Sequence, residues 1–164
     1  MSQVQLGPQT VNTNGELPKP GSSAPEFVLT GTDMNDVHLS TYAGKNIVLN
    51  IFPSVDTNIC ATSIREFNKR ASSLENTVIL CISKDLPFAQ KRFCGAEGLD
   101  RVISLSDFRG DFGKKYGVEL VDGSFAGLLS RAVIVIDTKG NIKYTELVSQ
   151  IGHEPNYEAA IQAL

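Results

Sequence analysis

Three stretches, IVLNIF at 47–52, TVILCI at 77–82 and AVIVID at 132–137, are short and nearly unbroken apolar runs rich in β-branched side chains. Such runs suit strands buried on both faces of a sheet. Between the first two the period changes. Cys60, Ile64, Phe67, Ala71 and Leu74 recur at helical spacing, which predicts an amphipathic helix beginning near Thr57. Asp85-Leu86-Pro87 predicts the start of a second helix, with Asp85 as N-cap and the proline in the first turn, carrying Phe88 to Phe93 and then Cys94. IDTKGNIKY at 136–144 reads as a hairpin turning at Gly140, and EPNYEAAIQAL at 154–164 as a closing helix from Pro155. Weaker strand patterns surround Phe27-Val28-Leu29 and Val37-His38-Leu39. Further upstream, Asn14-Gly15 fits the tight turn of a small N-terminal hairpin.

This order of elements predicts an α/β fold with a mixed central sheet flanked by helices. Residues 1–164 read as one domain, with 1–17 as a β-hairpin extension and PKPGSSAP at 18–25 as an irregular connector. Composition narrows the function more than the fold. The 164 residues are 41% hydrophobic and 20% charged with a net charge of −3, so no basic surplus exists for nucleic acid. No apolar stretch approaches the ~20 residues of a membrane span, and the N-terminus lacks the basic and apolar regions of a signal peptide. The expectation is a cytoplasmic protein. In a reducing compartment its three cysteines are reactive or buried rather than permanently cross-linked.

Cys60 stands where the first apolar run gives way to the first helix. The first turn of a helix exposes unpaired N–H groups and the positive end of its dipole, which favour a thiolate, the reactive form of cysteine. Against this, Cys60 equally well begins the apolar stripe that continues through Ile64 and Phe67. The neighbourhood Pro53-Ser54-Val55-Asp56-Thr57-Asn58-Ile59-Cys60 adds a hydroxyl three residues before the thiol and a proline with no competing N–H. Cys94 on its apolar helical face and Arg131 at the head of a strand each have a bland reading too, as a packed thiol and a surface arginine. Cys81, inside TVILCI, reads as core. His38 and His153 have no partners at metal-site spacing, and neither a metal nor a cofactor is expected.

Pro53, Thr57 and Cys60 match the P-x-x-x-T-x-x-C pattern of peroxiredoxins. With LNIFPSVDTNIC, LCISKDLPFAQKRFCGAEGL, LLSRAVIVID and EPNYEAAIQAL, the chain from about residue 20 onward resembles the bacterial thiol peroxidases, the atypical two-cysteine peroxiredoxins. The resemblance implies a thioredoxin-like fold. It also implies an antioxidant enzyme that reduces hydrogen peroxide and alkyl or lipid hydroperoxides. Cys60 would be the peroxidatic cysteine, oxidised to a sulfenic acid, and Cys94 the resolving cysteine that closes an intramolecular Cys60–Cys94 disulfide. Thr57 and Arg131 would hydrogen-bond the thiolate and the peroxide, with Pro53 shielding them. Thioredoxin would be the reductant, and a homodimer the assembly. The competing readings are a thioredoxin-fold disulfide exchanger, which the absence of any Cys-x-x-Cys weakens, and a non-enzymatic redox-sensing or binding module.

Magnitudes show why the flanking donors matter. A thiol of ordinary pKa ~8.5 is only about 3% ionised at pH 7, so full ionisation gains at most about thirtyfold. That is about 2 kcal/mol, against the roughly 8 or more by which enzymes lower barriers. The remainder must come from aligning the peroxide and stabilising its leaving oxygen.

Overall fold

The computed structural model describes all 164 residues. A seven-stranded mixed sheet forms its centre, in the order β4 (Asp36–His38), β3 (Val28–Gly31), β7 (Ile103–Ser106), β6 (Thr77–Ser83), β5 (Asn46–Ile51), β8 (Ala132–Ile136) and β9 (Ile142–Leu147). Strands β5, β6 and β7 run parallel, and β8 returns antiparallel against β5. The three apolar runs are adjacent interior strands, β6, β5 and β8, and their side chains alternate as a pleat requires. Ile47, Leu49, Ile51, Leu80, Ile82, Ala132, Ile134 and Ile136 face one layer, where Phe27, Phe112 and Tyr116 pack edge-on and stacked. Val48, Phe52, Ile79, Cys81, Val133 and Val135 face the other, where α1 (Asn58–Ala71) and α2 (Pro87–Glu97) bring Cys60, Ile64, Phe67 and Phe93. Burying each such side chain contributes about 1.5–3 kcal/mol.

Several local expectations are corrected. The N-terminal hairpin exists, as β1 (Gln3–Leu6) and β2 (Gln9–Asn12), but it turns at Gly7-Pro8 and not at Asn14-Gly15. Gly7 supplies the positive φ, 60°, that the turn requires. Asn14 is spent elsewhere: its side chain donates to the Lys114 carbonyl and accepts from the Glu119 amide. Leu86, not Asp85, is the N-cap of α2, because the Asp85 carboxylate is turned back toward the 53–57 loop. The closing helix α4 (Tyr157–Gln162) begins after Pro155, capped by the Asn156 side chain, which accepts from the Ala159 amide. Strand β7 and the short α3 (Phe112–Lys115) were not expected. ISLS at 103–106 offers only two large apolar residues, and its place in the sheet is decided by pairing with β6. The β8–β9 hairpin turns at Gly140, φ 83°, as expected.

The N-terminal hairpin packs Val4 and Val11 onto Leu120 and Ile151 in a small apolar cluster of its own. Hydrogen bonds from Gln5 N to Ser149 O and from Ile151 N to Gln5 O stitch it to the segment after β9. No helix is long and apolar enough to cross a membrane.

Candidate active site

The loop after β5 carries Pro53 to Thr57 out of the carboxyl end of a parallel strand, where open α/β sheets place their ligand sites. Thr57 has extended backbone angles (φ −101°, ψ 146°) and is the N-cap of α1. Cys60 therefore occupies the third helical position, among the amides that have no partner inside the helix. It is completely buried.

Antiparallel pairing of Ile51 with Ala132 brings the head of β8 to the same end of the sheet. Ala132 faces the layer opposite α1, so the preceding Arg131 points toward α1. Its guanidinium, only 2% exposed, donates from Nη2 to Cys60 Sγ at 3.1 Å and from Nε to the Ile151 carbonyl at 2.7 Å. Its Nη1 has no hydrogen-bond partner in the protein. No carboxylate pairs with this arginine. A buried cation without a counter-anion is costly, and the sulfur it touches is the atom within reach that can become negative.

Pro53, Thr57 and Arg131 line one cavity of about 160 Å³ together with Leu6, Phe125 and Ile151. The Thr57 hydroxyl does not point its proton at the sulfur; it donates to the Ser54 carbonyl at 3.1 Å. Its oxygen lone pairs remain free to accept a hydrogen bond. Asp56, beside it, forms an exposed ion pair with Arg92 of α2 at 3.3 Å.

Cys94 stands apart from this group. It is half-buried, sits 3.2 Å from the Ser104 hydroxyl, and lines a separate cleft of about 650 Å³ with Asp33, Lys91 and Asp100. Burial raises its thiol pKa, an effect the Ser104 hydrogen bond partly opposes. All three cysteines are free thiols. Cys81 lies in the core, its pKa pushed up to about 12 by burial, with the Asn50 amide 3.7 Å from its sulfur. No cluster of three or more His, Cys, Asp or Glu side chains converges in the chain.

Sequence reasoning missed Leu6, Phe125 and Ile151, because nothing in their local pattern ties them to residue 60. It also gave Asp85 the wrong task and overlooked Ser54 and Ser104, which sit in ordinary loop and strand contexts.

The Redoxin family model matches residues 19–161. Thiol peroxidases of Mycobacterium tuberculosis and Corynebacterium glutamicum are 57% and 53% identical to the chain, each alignment covering 100% of it and 99% of the relative. Among solved structures, a peroxiredoxin-like protein from Aquifex aeolicus superposes with a TM-score of 0.94 at 36% identity, covering 99% of this chain and 96% of that one. A thiol peroxidase from Chromobacterium violaceum superposes with a TM-score of 0.92 at 24% identity, covering 99% and 95%, and shows the shared fold. The chain belongs to the Redoxin family, among its peroxiredoxin-type peroxidases. Its fold is accordingly the thioredoxin-like peroxiredoxin fold with an N-terminal hairpin.

Proposed function

We propose that the chain reduces hydroperoxides, hydrogen peroxide and alkyl or lipid hydroperoxides alike, through a Cys60 sulfenic acid that Cys94 resolves and thioredoxin recycles. The observation that carries this reading is the buried guanidinium of Arg131, 3.1 Å from the sulfur of Cys60 and without a carboxylate partner. A cation held there complements a thiolate. Its unpartnered Nη1 is available to an oxygen of the bound peroxide.

The Cys60 thiolate attacks the terminal oxygen of ROOH. An S–O bond forms as the O–O bond breaks, sulfur gives up two electrons, and the alkoxide takes a proton and leaves as ROH. Thr57, its own proton committed to Ser54, accepts the hydrogen bond of the peroxide O–H and so orients the oxygen that is attacked. Leu6, Ile59, Phe125 and Ile151 supply the apolar wall against which an organic R group packs.

The second step needs motion. Cys60 and Cys94 belong to different helices, and Cys94 lines a cleft that Cys60 does not reach, whereas a disulfide requires Cα atoms about 4.4–6.8 Å apart. We assign this motion to unwinding at the start of α1 and along α2. Once it occurs, the Cys94 thiolate attacks the sulfenic sulfur; the S–S bond forms, the S–O bond breaks, and hydroxide leaves as water after taking a proton. Thioredoxin reduces the disulfide by exchange, in the cytoplasm, and the working assembly is a homodimer.

Peroxide-dependent NADPH oxidation with thioredoxin and thioredoxin reductase tests the cycle. The wild type should turn over continuously, and Cys94→Ser should consume about one equivalent of peroxide and stall. Sustained thioredoxin-linked turnover without Cys94 would refute its role.

A further inference from the structure

Asp85 lines neither cavity of the candidate site and takes part in no ion pair, yet it is the most heavily bonded carboxylate near it. One oxygen accepts from Ser54 Oγ at 2.7 Å; the other accepts from the Val55 amide at 2.9 Å and from Ser83 Oγ at 2.6 Å. Its own amide donates to Ser83 Oγ at 3.3 Å, and its carbonyl accepts from the Ser106 hydroxyl.

These bonds lead in two directions. On one side, Ser54 passes the restraint on: its carbonyl accepts both the Thr57 amide, at 3.2 Å, and the Thr57 hydroxyl, at 3.1 Å, while its hydroxyl accepts the Asp56 amide at 3.1 Å. Thr57 then opens α1, three residues before Cys60. On the other side, Asp85 directly precedes Leu86, the N-cap of the helix that carries Cys94. Ser83 also accepts from Gln90 Nε2 at 3.2 Å, and the fully buried Gln90 reaches on to the Leu105 carbonyl at 2.9 Å. One carboxylate thus joins the loop before the first cysteine helix to the start of the second.

Resting on the assignment of Cys60 and Cys94 above, we propose that Asp85 is a positioning residue, a latch that holds the 53–57 loop and the start of α1 against the start of α2. While the latch is closed, Thr57 is fixed at the head of α1, on the cavity it lines with Arg131, and oxidation by peroxide is fast. When it opens, the two helix segments are released to unwind, and disulfide closure is fast. A closed latch also keeps the sulfenic acid against Arg131, which lines the cavity, where a second hydroperoxide can oxidise it. In that step another S–O bond forms, another O–O bond breaks, ROH leaves, and the product is a sulfinic acid. Asp85 therefore sets the competition between disulfide formation and over-oxidation.

The latch makes a demand that a purely structural carboxylate does not: loosening it moves two rates in opposite directions. Rapid quench of wild type, Asp85→Ala and Ser54→Ala after mixing with peroxide, with mass spectrometry of alkylated products, measures both. In Asp85→Ala the rate constant for Cys60 oxidation should fall about tenfold to a hundredfold, as expected for a misplaced reacting group. Closure of the Cys60–Cys94 disulfide should accelerate, and the sulfinic fraction at fixed peroxide should drop. Ser54→Ala should shift each quantity the same way by less, and it carries the test alone if Asp85→Ala does not fold. Both rates falling together, or neither changing, in variants that melt cooperatively would overturn the latch. Hydrogen exchange at the Val55 and Thr57 amides reads the latch without any chemistry. Faster exchange in the variants is expected, and unchanged exchange also overturns it. If the wild type formed no Cys60 sulfenic acid, the proposed function would fail whatever those amides did; if it formed the acid and the amides did not loosen in the variants, the latch alone would fail.

Discussion

Cys60 and Cys81 are both completely buried, and both belong to the apolar layer beneath α1 and α2. Burial alone would make them equivalent. Their surroundings differ: Cys60, in the first turn of α1, is met by a guanidinium at 3.1 Å, whereas Cys81, in the middle of β6, meets only the neutral Asn50 amide at 3.7 Å. At Cys81 desolvation prevails and the thiol pKa rises to about 12, so it keeps its proton at any physiological pH. On the proposed function, the contrast teaches that the partner brought by the fold, and not the depth of the sulfur, sets a chemical cysteine apart from a packing cysteine.

The sharpest way to break that contrast is to exchange the fates of the two thiols. Cys60→Ser should abolish peroxide turnover, whereas Cys81→Ala should keep it within about a few-fold of wild type, since it removes a side chain from the core without touching the site. Comparable losses in the two variants, measured as peroxide consumed per enzyme, would erase the distinction. Arg131→Met comes next. It retains the length of the side chain and removes the cation, and should slow Cys60 oxidation about 10²–10³-fold, the effect of losing one preorganised donor. Melting should be much less affected, because a buried charge with no carboxylate partner adds little net stability. A smaller loss, about tenfold or more, is expected for Thr57→Val, which keeps the shape and deletes the acceptor. Single-turnover oxidation rates check both.

The smallest effect concerns pH and tests the Cys81 side of the comparison. Between the ordinary cysteine value near 9 and about 12, the folded state retains a proton on Cys81 that the unfolded chain has released. This contribution to stability is therefore complete below about pH 9 and is lost as pH rises toward 12. Tyr116 and Tyr157, also raised by burial, add to the same alkaline loss. Cys81→Ala should flatten the decline of stability with pH by up to about 1.4 kcal/mol per pH unit, whatever its offset at neutrality. Denaturant melts across the alkaline range, compared by slope, would show it. An unchanged slope would mean that Cys81 titrates in the folded protein as it does in the unfolded chain.

Much of the fold was legible because it depends on local periodicity. The runs at 47–52, 77–82 and 132–137 alternate between the two faces of the sheet without help from distant residues, and the spacing from Cys60 to Phe67 is a helix stripe wherever the helix lies. The errors came where a side chain had a choice. Asp85 has the chemistry of an N-cap, but Ser54, Val55 and Ser83 compete for its oxygens. Asn14-Gly15 has the chemistry of a hairpin turn, but Glu119 and Lys114 claim the asparagine. Strand β7 carries too little apolar pattern to be seen before β6 offers it a partner.

The sequence by itself determined the alternation that builds the sheet, the helix that begins at Thr57, and the presence of a thiol in its first turn. All of these are set by residues within a few positions of one another. Only the tertiary structure decided that Arg131, 71 residues away, would touch that thiol, and that Leu6 of the N-terminal hairpin would share a cavity with Thr57. The reason is physical. Strand order and register bring Ala132 beside Ile51, and packing of the hairpin on Ile151 fixes the carbonyl that holds the guanidinium in place. Pairings across such distances depend on the free energy of the whole fold, which no local pattern encodes.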